Sequence, residues 1–384
     1  MQNFEFFNPT RIVFGTGRMA ELNTLIPPAA RVLVLFGGES ARKSGTLAEV
    51  RSALGSRSVF EFGGIEANPR YETLMQAVAI ARQENIDFLL AVGGGSVIDG
   101  TKFVAAAAVF EGDAREILRQ RGRTIQHALR LGTVLTLPAS GSEMNHGGVV
   151  TIQAEGAKLP FMHESLFPVF SVLDPTKTYT LPRHQVANGV ADAFSHVMEQ
   201  YLTEDIGAHV QDRLAEGLML TLIENGLSAV DSQDYRARAD LMWGATLALN
   251  GLIGAGVPQD WSTHVIGHEL TAMFGIDHAR TLAVVLPAML QVRREAKRAK
   301  LLKYAERVWG LREGNDENRI DSAIQRTRDF FEQLGLPTRL SAHGVTAEAI
   351  PAIVEQLKAH GMVALGERRE VTPEVCRAVL DAAL

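Results

Sequence analysis

Short apolar runs alternate with amphipathic stretches through the first 180 residues, and this alternation constrains the fold more than any other feature. RVLVLFGG (31–38) and DFLLAVGGGS (87–96) have the length of strands and end in glycine, whereas YETLMQAVAIARQEN (71–85) has helical periodicity. Residues 4–14 are consistent with an N-terminal strand or hairpin, and further strand-like runs are 58–64, 133–142 and 168–175. Strands separated by helices predict βαβ units and a parallel sheet.

The second half of the chain differs, because from about Leu181 onward it contains long amphipathic or apolar helical segments and few strand-like runs. These segments are 211–226, 234–251, 280–290, 298–310 and 319–335. We therefore predict an α/β domain over residues 1–180 and an all-helical domain over residues 181–384, with a ligand in the cleft between them.

Composition excludes several classes of protein. A chain of 384 residues with 46% hydrophobic and 21% charged residues is typical of a globular protein with more than one domain. The formal net charge of −6 leaves no excess of basic residues for phosphates, so we expect no nucleic-acid partner. Cys376 is the only cysteine, which excludes an internal disulfide and a cysteine-based zinc site. We recognise neither a signal peptide nor an apolar run of about 18 residues, and expect a cytoplasmic protein that does not enter a membrane.

Two pairs of residues at helical spacing indicate a metal site. Asp192 and His196 are four residues apart, as are His264 and His268, and His278 follows. Residues four apart lie on the same face of a helix, so each pair can direct two side chains at one point. A carboxylate with imidazoles suits Fe²⁺, Zn²⁺, Co²⁺ or Ni²⁺ better than Ca²⁺ or Mg²⁺. A catalytic metal keeps one position open, so not all five residues need to bind it.

Glycine-rich turns after three of the expected strands indicate a bound nucleotide. Gly-Gly-Gly-Ser at 93–96 follows a strand and opens a helix, where glycines let backbone N–H groups approach a phosphate. This is not the GxGxxG spacing of the usual dinucleotide fingerprint. Similar turns occur at 37–40 and 138–142, and in a parallel sheet such turns gather at the carboxyl ends of the strands.

Taken together, these motifs resemble those of the iron-containing (metal-dependent) alcohol dehydrogenase family. The segments GGGSVIDGTK, LPASGSE, ANGVADAFSH and HVIGHELTAMFGIDH occur in the family's order and spacing, and the resemblance spans nearly the whole chain. Within the family, the chain most resembles the branch of butanol dehydrogenases and broad-range NADPH-dependent aldehyde reductases. The resemblance implies a Rossmann-like parallel-sheet dinucleotide domain followed by an all-helical metal-binding domain, which is the dehydroquinate synthase-like architecture.

The resemblance also implies roles for individual residues. Fe²⁺ or Zn²⁺ is expected on the ligands Asp192, His196, His264 and His278. His268 is then not a ligand, and is expected to line the active site and relay a proton. The residues expected at the adenosine end and pyrophosphate of the cofactor are Gly37, Gly38, Glu39, Ser40, Gly94, Gly95 and Ser96. Those expected around its nicotinamide half are Asp99, Thr136, Ser140, Ser142 and Lys158.

Two departures from the family pattern bear on specificity. The first departure is Glu39, in a turn whose other residues Ser40, Arg42 and Lys43 suit the 2′-phosphate of NADP. Glu39 brings a negative charge to the same turn, where a carboxylate could instead bind the free ribose hydroxyl of NAD. We therefore expect NADP and keep NAD open. The second departure is Asn-His at 145–146, close to the expected nicotinamide pocket, where it could alter the substrate range.

The function that these features predict is hydride transfer between NAD(P)H and small aliphatic aldehydes or primary alcohols, with the metal polarising the carbonyl oxygen. One alternative is an NAD- and metal-dependent sugar-phosphate cyclase-like lyase, and another is a non-enzymatic, metal-stabilised scaffold. The resemblance also implies an oligomer. We expect a homodimer paired through the strand region around Arg11–Phe14, since an exposed edge strand there would otherwise be unpaired.

Overall fold

The computed structural model describes residues 1–384, which form two compact units. The sheet unit contains Phe7–Pro182 and Gln233–Asn250, and the helical unit contains Met1–Phe6, Arg183–Ser232 and Gly251–Leu384. The units do not divide the chain at a single point near residue 180, because Met1–Phe6 belongs to the helical unit and Gln233–Asn250 belongs to the sheet unit. The division into domains 1–180 and 181–384 stays a prediction. No helix is both long enough and apolar enough to cross a lipid bilayer.

Eight strands lie in the sheet unit. They are β1 (Arg11–Phe14), β2 (Arg31–Phe36), β3 (Ser58–Phe62), β4 (Phe88–Gly94), β5 (Arg130–Leu137), β6 (Gly147–Ile152), β7 (Ala157–Met162) and β8 (Phe170–Leu173). Six of them form one sheet in the order β1-β8-β5-β4-β2-β3, and every neighbouring pair is parallel. Strands β2 and β4 are buried along almost their whole length. Near-continuous Val and Leu runs of this kind are typical of a parallel sheet covered on both faces.

Fifteen α-helices accompany the strands. They are α1 (Leu22–Leu25), α2 (Ser40–Lys43), α3 (Thr46–Leu54), α4 (Tyr71–Gln83), α5 (Gly95–Val109), α6 (Arg115–Arg119), α7 (Arg183–Tyr201), α8 (His209–Asp231), α9 (Tyr235–Ala248), α10 (Ser262–Phe274), α11 (His278–Val292), α12 (Arg298–Arg307), α13 (Asp316–Gln333), α14 (Ile350–Ala359) and α15 (Pro373–Ala382). All strands lie before α7, which confirms the predicted fold class of a parallel-sheet part followed by a mostly helical part.

The alternation of side chains along the strands divides the core of the sheet unit between two faces. Leu33 and Leu35 of β2 belong to one buried cluster, together with residues of α4 and α5. Val32 and Val34 belong to a second cluster, with residues of α3. Successive residues of a strand point to opposite faces, so a strand that is apolar at every position supplies both cores.

The N-terminal segment forms a strand and no hairpin. Only Arg11–Phe14 is extended and paired, and β1 lies at the edge of the sheet beside β8. The one antiparallel pair is β6 with β7, and Gly156 between them has a left-handed φ of 59°. Of the strand or hairpin expected within residues 4–14, the structure has the strand, and the hairpin at residues 147–162 was not predicted.

Helix α9 belongs to the sheet unit although it follows α7 and α8 in sequence. Its Arg238 donates a hydrogen bond to the carbonyl of Thr178 at 2.8 Å. Its Thr246 donates to the buried carboxyl of Glu143 at 2.5 Å. These contacts join α9 to the segments that follow β5 and β8, which explains why residues 233–250 belong with the sheet.

The helical unit is built around α7, which is buried along most of its length. It packs against α8 and α11, and α11 packs in turn against α10 and α15. A separate core of aliphatic side chains, including Ile266, Leu270, Ile353 and Leu380, joins α10 and α11 to α14 and α15. Helices α10 and α11 are therefore held on two sides, which fixes the positions of the histidines that they carry.

Candidate metal centre and cofactor site

Three imidazoles of the helical unit converge on one buried carboxylate oxygen, Oδ1 of Asp192. The Nε2 atoms of His196, His264 and His278 lie 3.7, 3.8 and 3.8 Å from it. Asp192 and His196 are one turn apart on α7, His264 lies in the first turn of α10, and His278 is the first residue of α11. The four residues that the family resemblance implied as metal ligands therefore lie together.

His268, the fifth candidate, lies next to this cluster. Its ring centroid is 5.1 Å from that of His278 and 6.4 Å from that of His264. It is half-buried, and it stands one turn beyond His264 on α10. Its position beside the cluster agrees with a residue that lines the site.

Three residues of the cluster are buried, and two of their side-chain atoms lack a hydrogen-bond partner. Asp192, His196 and His264 are only 6%, 4% and 7% exposed. Neither Oδ1 of Asp192 nor Nε2 of His264 has a hydrogen-bond partner. Leaving such atoms unsatisfied in the interior costs about 1–3 kcal/mol each. The ligand atoms of these three residues all lie within 4.8 Å of one another, so a divalent cation bound among them would satisfy the orphaned atoms.

The electrostatics of the metal-free cluster follow from its crowding. Burial raises the pKa of Asp192, but the nearby imidazoles outweigh burial and hold that pKa well below its ordinary value. Burial lowers the pKa of His264, but the carboxylates of Glu199 and Asp192 outweigh it and raise this pKa to about 9. Without a metal, the centre thus contains an ionised aspartate and a protonated His264 at neutral pH.

Two residues that the sequence reasoning missed adjoin the cluster. Glu199 lies seven residues after Asp192 on α7 and contacts His264 through its side chain. The spacing of Asp192, His196 and Glu199 (i, i+4, i+7) puts all three on one helix face, and this pattern was a signal that could have found Glu199. Trp261 is half-buried, and its indole lies edge-on to His196 and His264, with centroids 6.1 and 5.4 Å apart.

The glycine-rich turns of the sheet unit follow three adjacent strands, β2, β4 and β5. In the turn from β4 to α5, a Cβ on Gly95 would lie 2.1 Å from Oγ of Ser140, and one on Gly94 would lie 2.9 Å from Cβ of Leu137. The turns after β4 and β5 are therefore packed so closely that glycine is required. The carboxyl ends of adjacent parallel strands are where nucleotides bind in such sheets, and the N-terminus of α5 offers unpaired backbone N–H groups there.

Asp99 and Ser142, both implied at the nicotinamide half, are hydrogen-bonded to each other. Ser142 donates to Oδ1 of Asp99 at 2.6 Å, and Oδ2 accepts from the backbone of Val149 at 2.9 Å. Ser96 donates to the carbonyl of Ala67. The other implied residues in this region are all half-buried, and they are Thr136 on β5, Ser140 in the turn after β5 and Lys158 on β7.

Lys102, which the sequence reasoning did not single out, holds several groups of this region in place through hydrogen bonds. Its ammonium group is completely buried and donates to Oγ of Ser142 at 2.9 Å, to Oδ1 of Asn145 at 2.9 Å and to the carbonyl of Gly147 at 2.7 Å. Burial lowers the pKa of Lys102 to about 8, against the opposing charge of Asp99. The motif GGGSVIDGTK thus carries a buried cation in addition to its glycine-rich turn.

Asn145 and His146, which form the second departure from the family pattern, lie in different environments. Asn145 donates to the carbonyls of Gly141 at 3.0 Å and Leu249 at 3.2 Å, and it accepts from Lys102. Its polar atoms are therefore engaged within the protein. His146 is half-buried, with its ring centroid 4.7 Å from that of Phe167, and burial lowers its pKa.

A cavity of about 360 Å³ opens beside the turn after β2. Its lining includes Gly37, Gly38 and Glu39 together with Arg42, whereas Ser40 and Lys43 do not line it. The guanidinium of Arg42 lies 5.3 Å from the ring centroid of Phe36. It also pairs with the carboxylates of Glu61 and Glu39, at 3.6 and 3.9 Å. Two acidic side chains therefore share the one arginine of this cavity.

Comparison with known proteins identifies the class of protein. The family model for "Iron-containing alcohol dehydrogenase" matches residues 9–175, and that for "Fe-containing alcohol dehydrogenase family, C-terminal" matches residues 186–384. The chain is 56% identical to the NADPH-dependent aldehyde reductase YqhD of Escherichia coli (strain K12), over 100% of both chains. It is 37% identical to the probable NADH-dependent butanol dehydrogenase 1 of Bacillus subtilis (strain 168), also over 100% of both chains.

Solved structures agree with this result. The substrate- and cofactor-free form of the aldehyde reductase YqhD from E. coli matches with a TM-score of 0.95 at 54% identity, over 100% of both chains. The NADH-dependent butanol dehydrogenase A from Thermotoga maritima matches with a TM-score of 0.95 at 32% identity, over 100% of this chain and 99% of that chain. The protein is therefore an oxidoreductase. More particularly, it belongs to the iron-containing alcohol dehydrogenase family, as its motifs predicted.

The role of Lys102 generates a prediction about the sheet unit. Lys102→Met keeps the length of the side chain but leaves Asn145, Gly147 and Asp99 without the buried cation. We expect a loss of about 3 kcal/mol or more in the free energy of unfolding, because breaking one side of a buried charged network leaves the other side uncompensated. Urea unfolding of the wild type, this variant and the exposed control Lys358→Met would measure it. Equal midpoints for all three proteins would contradict this role.

Proposed function

We propose that the protein is an NADPH-dependent reductase of small aliphatic aldehydes that also oxidises primary alcohols. The observation that carries the proposal is the convergence of three imidazole nitrogens on the buried carboxylate of Asp192, at 3.7–3.8 Å. Identity of 56% to an aldehyde reductase over the whole chain favours this function over a sugar-phosphate cyclase and over a non-enzymatic scaffold.

The ligand set that we propose is Asp192, His196, His264 and His278. Its three nitrogens and one carboxylate fit Fe²⁺ or Zn²⁺. Such a cation, when bound, supplies Lewis acidity toward a carbonyl or alcohol oxygen. The four residues hold it in place. We assign His268 to moving a proton between the site and water, because its ring lies 5.1 Å from that of His278 and is half-buried.

The cofactor that we propose is NADP(H), which supplies the hydride. The N-terminus of α5, with Gly94, Gly95 and Ser96, would bind the pyrophosphate. Gly37, Gly38, Glu39, Ser40 and Arg42 would surround the adenosine end. Around the nicotinamide half we place Asp99, Thr136, Ser140, Ser142 and Lys158. Buried Lys102 holds Ser142 in position for this task.

Trp261 supports an uncharged, apolar substrate. Its half-buried ring lies against the imidazoles of His196 and His264, and it offers an alkyl chain a surface from which water is displaced. We also propose a homodimer paired through β1, because β1 is an edge strand and its outer side is open to pairing.

The proposal is tested by reduction of butanal with NADPH and with NADH, before and after chelation and re-addition of Fe²⁺ or Zn²⁺. We expect turnover that disappears with the chelator and returns with the metal. Asp192→Ala should lose both metal and turnover, whereas His268→Ala should keep the metal and lose turnover or change its pH profile. The exposed His184→Ala is the control and should behave as the wild type. Full metal content in Asp192→Ala would contradict the ligand assignment.

The raised pKa of His264 predicts how metal affinity depends on pH. A ligand imidazole must give up the proton on its binding nitrogen, and below about pH 9 the metal-free His264 is protonated on both nitrogens. Apparent affinity should therefore rise about tenfold per pH unit for this one proton and level off as the pH passes about 9. Calorimetric titration with Zn²⁺ in buffers of different ionisation enthalpy would measure the released proton. Affinity that is constant from pH 7 to 9 would contradict the prediction.

The carboxylate of Glu39 is expected to weaken the preference for NADPH over NADH. The carboxylate lines the cavity and pairs with Arg42, so it both repels a 2′-phosphate and competes for its cation. Glu39→Gly and Glu39→Gln should each raise the ratio of kcat/KM for NADPH over NADH by about fivefold or more, which corresponds to about 1 kcal/mol for one solvated charge pair. Glu84→Gln, outside the cavity, is the control. An unchanged ratio in both Glu39 variants would show that this carboxylate has no part in cofactor choice.

A further inference from the structure

Glu199 is a buried carboxylate that joins the two helices carrying three of the four proposed ligands. It lies on α7, three residues after His196, and is 4% exposed. Its side chain reaches α10, where it accepts hydrogen bonds from the backbone N–H groups of Thr263 at 2.7 Å and His264 at 3.3 Å. It also contacts Nδ1 of His264. The main chain of Glu199 contributes as well, since its carbonyl accepts from the backbone of Asp260 at 2.9 Å.

The two carboxylate oxygens of Glu199 have different tasks. Thr263 and His264 lie in the first turn of α10, where backbone N–H groups have no partner within the helix. Oε1 accepts from both of these groups. An anion in this position is also favoured by the helix dipole. Oε2 is left for the imidazole, and because a carboxylate only accepts, Nδ1 of His264 must be the donor.

We propose that Glu199 is a positioning residue that holds His264 with its proton on Nδ1 and its Nε2 directed at the metal. A neutral imidazole has one donor and one acceptor nitrogen, so a proton held on Nδ1 leaves the lone pair on Nε2. That atom lies 3.8 Å from Oδ1 of Asp192 and has no hydrogen-bond partner. Carboxylate–histidine–metal arrangements of this kind orient the ring and strengthen the ligand. The inference rests on the proposed metal centre.

A second carboxylate at the start of α10 leaves Glu199 available for this task. Oδ1 of Asp260 accepts from the backbone N–H of Ser262 at 3.0 Å and from its hydroxyl at 2.5 Å. Oδ2 of Asp260 pairs with buried Lys297 at 2.8 Å. Asp260 therefore serves the helix start and is balanced by its own lysine. The hydrogen bonds of the Glu199 carboxylate, in contrast, are all with N–H donors of α10, and the imidazole of His264 is the only titratable donor among them.

Glutamine at position 199 separates positioning from packing, because it has nearly the same size but a different hydrogen-bonding pattern. If its oxygen accepts from Thr263 and His264, its NH₂ group faces Nδ1 and favours the proton on Nε2, which blocks the ligand atom. If the amide is reversed, the NH₂ group faces two backbone N–H donors. A packing role would tolerate either arrangement, whereas a positioning role would not.

The experiment compares Glu199→Gln with Glu269→Gln. Glu269 is buried to a similar degree, lies on α10 and accepts from His360 at 2.8 Å, a histidine outside the proposed ligand set. Zn²⁺ affinity of each metal-free protein would be measured by competition with a chromophoric chelator at a pH above about 9, where the second proton of His264 no longer competes with the metal. The visible absorption of the Co²⁺ forms would report ligand geometry, and thermal unfolding of the metal-free proteins would report folding.

We expect Glu199→Gln to remain folded, to bind Zn²⁺ about 10- to 100-fold more weakly and to change the Co²⁺ spectrum, while Glu269→Gln matches the wild type. Wild-type affinity and spectrum in folded Glu199→Gln would overturn the inference. Failure of the wild type to bind metal would instead refute the proposed centre. If Glu199→Gln does not fold, Glu199→Asp keeps both acceptors on a shorter side chain that does not reach Nδ1. Weaker metal binding in that variant supports the positioning role, and wild-type binding overturns it.

Discussion

The convergence of three imidazoles on one buried carboxylate is the constraint on which the helical unit depends. Asp192 and His196 come from α7, His264 from α10 and His278 from α11. Three helices must therefore pack with fixed rotations and offsets to bring these side chains together. The aliphatic core that joins α10 and α11 to α14 and α15 provides that packing. It explains why a long C-terminal region with few polar motifs accompanies a site made of four residues.

The sheet unit also holds polar groups in fixed positions, but it does so with close backbone packing and one buried cation. Its glycine-rich turns follow β2, β4 and β5, and the turn after β4 is packed too closely for a side chain at Gly94 or Gly95. A buried cation, Lys102, then ties the middle of α5 to Ser142 in the segment after β5 and to the start of β6. The sheet unit thus places a charge in its interior and satisfies it with several partners, so that Ser142 and Asn145 are held in one arrangement.

Much of this architecture could be predicted from the sequence, because the signals are local. Short apolar runs predicted the strands, helical periodicity predicted the long helices, and the four-residue spacing identified both i,i+4 pairs. Spacing alone could not choose His278 over His268 as the proposed metal ligand. Helix α10 ends before Gly275 (φ 68°), and α11 then begins with His278 beside the cluster. Lys102 was missed for the same reason, and for Glu199 the spacing reports a shared helix face with Asp192 and His196 but not the contact with His264. Their partners lie 40 and 65 residues away along the chain, and no periodicity reports such contacts.

The uneven burial of the four proposed ligands has a consequence for how quickly an ion could enter or leave. The side chains of His196, Asp192 and His264 are 5%, 8% and 9% exposed, whereas that of His278 is 26% exposed. His278 is also the first residue of its helix, where fewer backbone hydrogen bonds restrain the chain. Exchange of the ion would therefore proceed by fraying of the start of α11 while α7 and α10 stay intact. The time for which the centre keeps its ion would then not depend on the global stability of the fold.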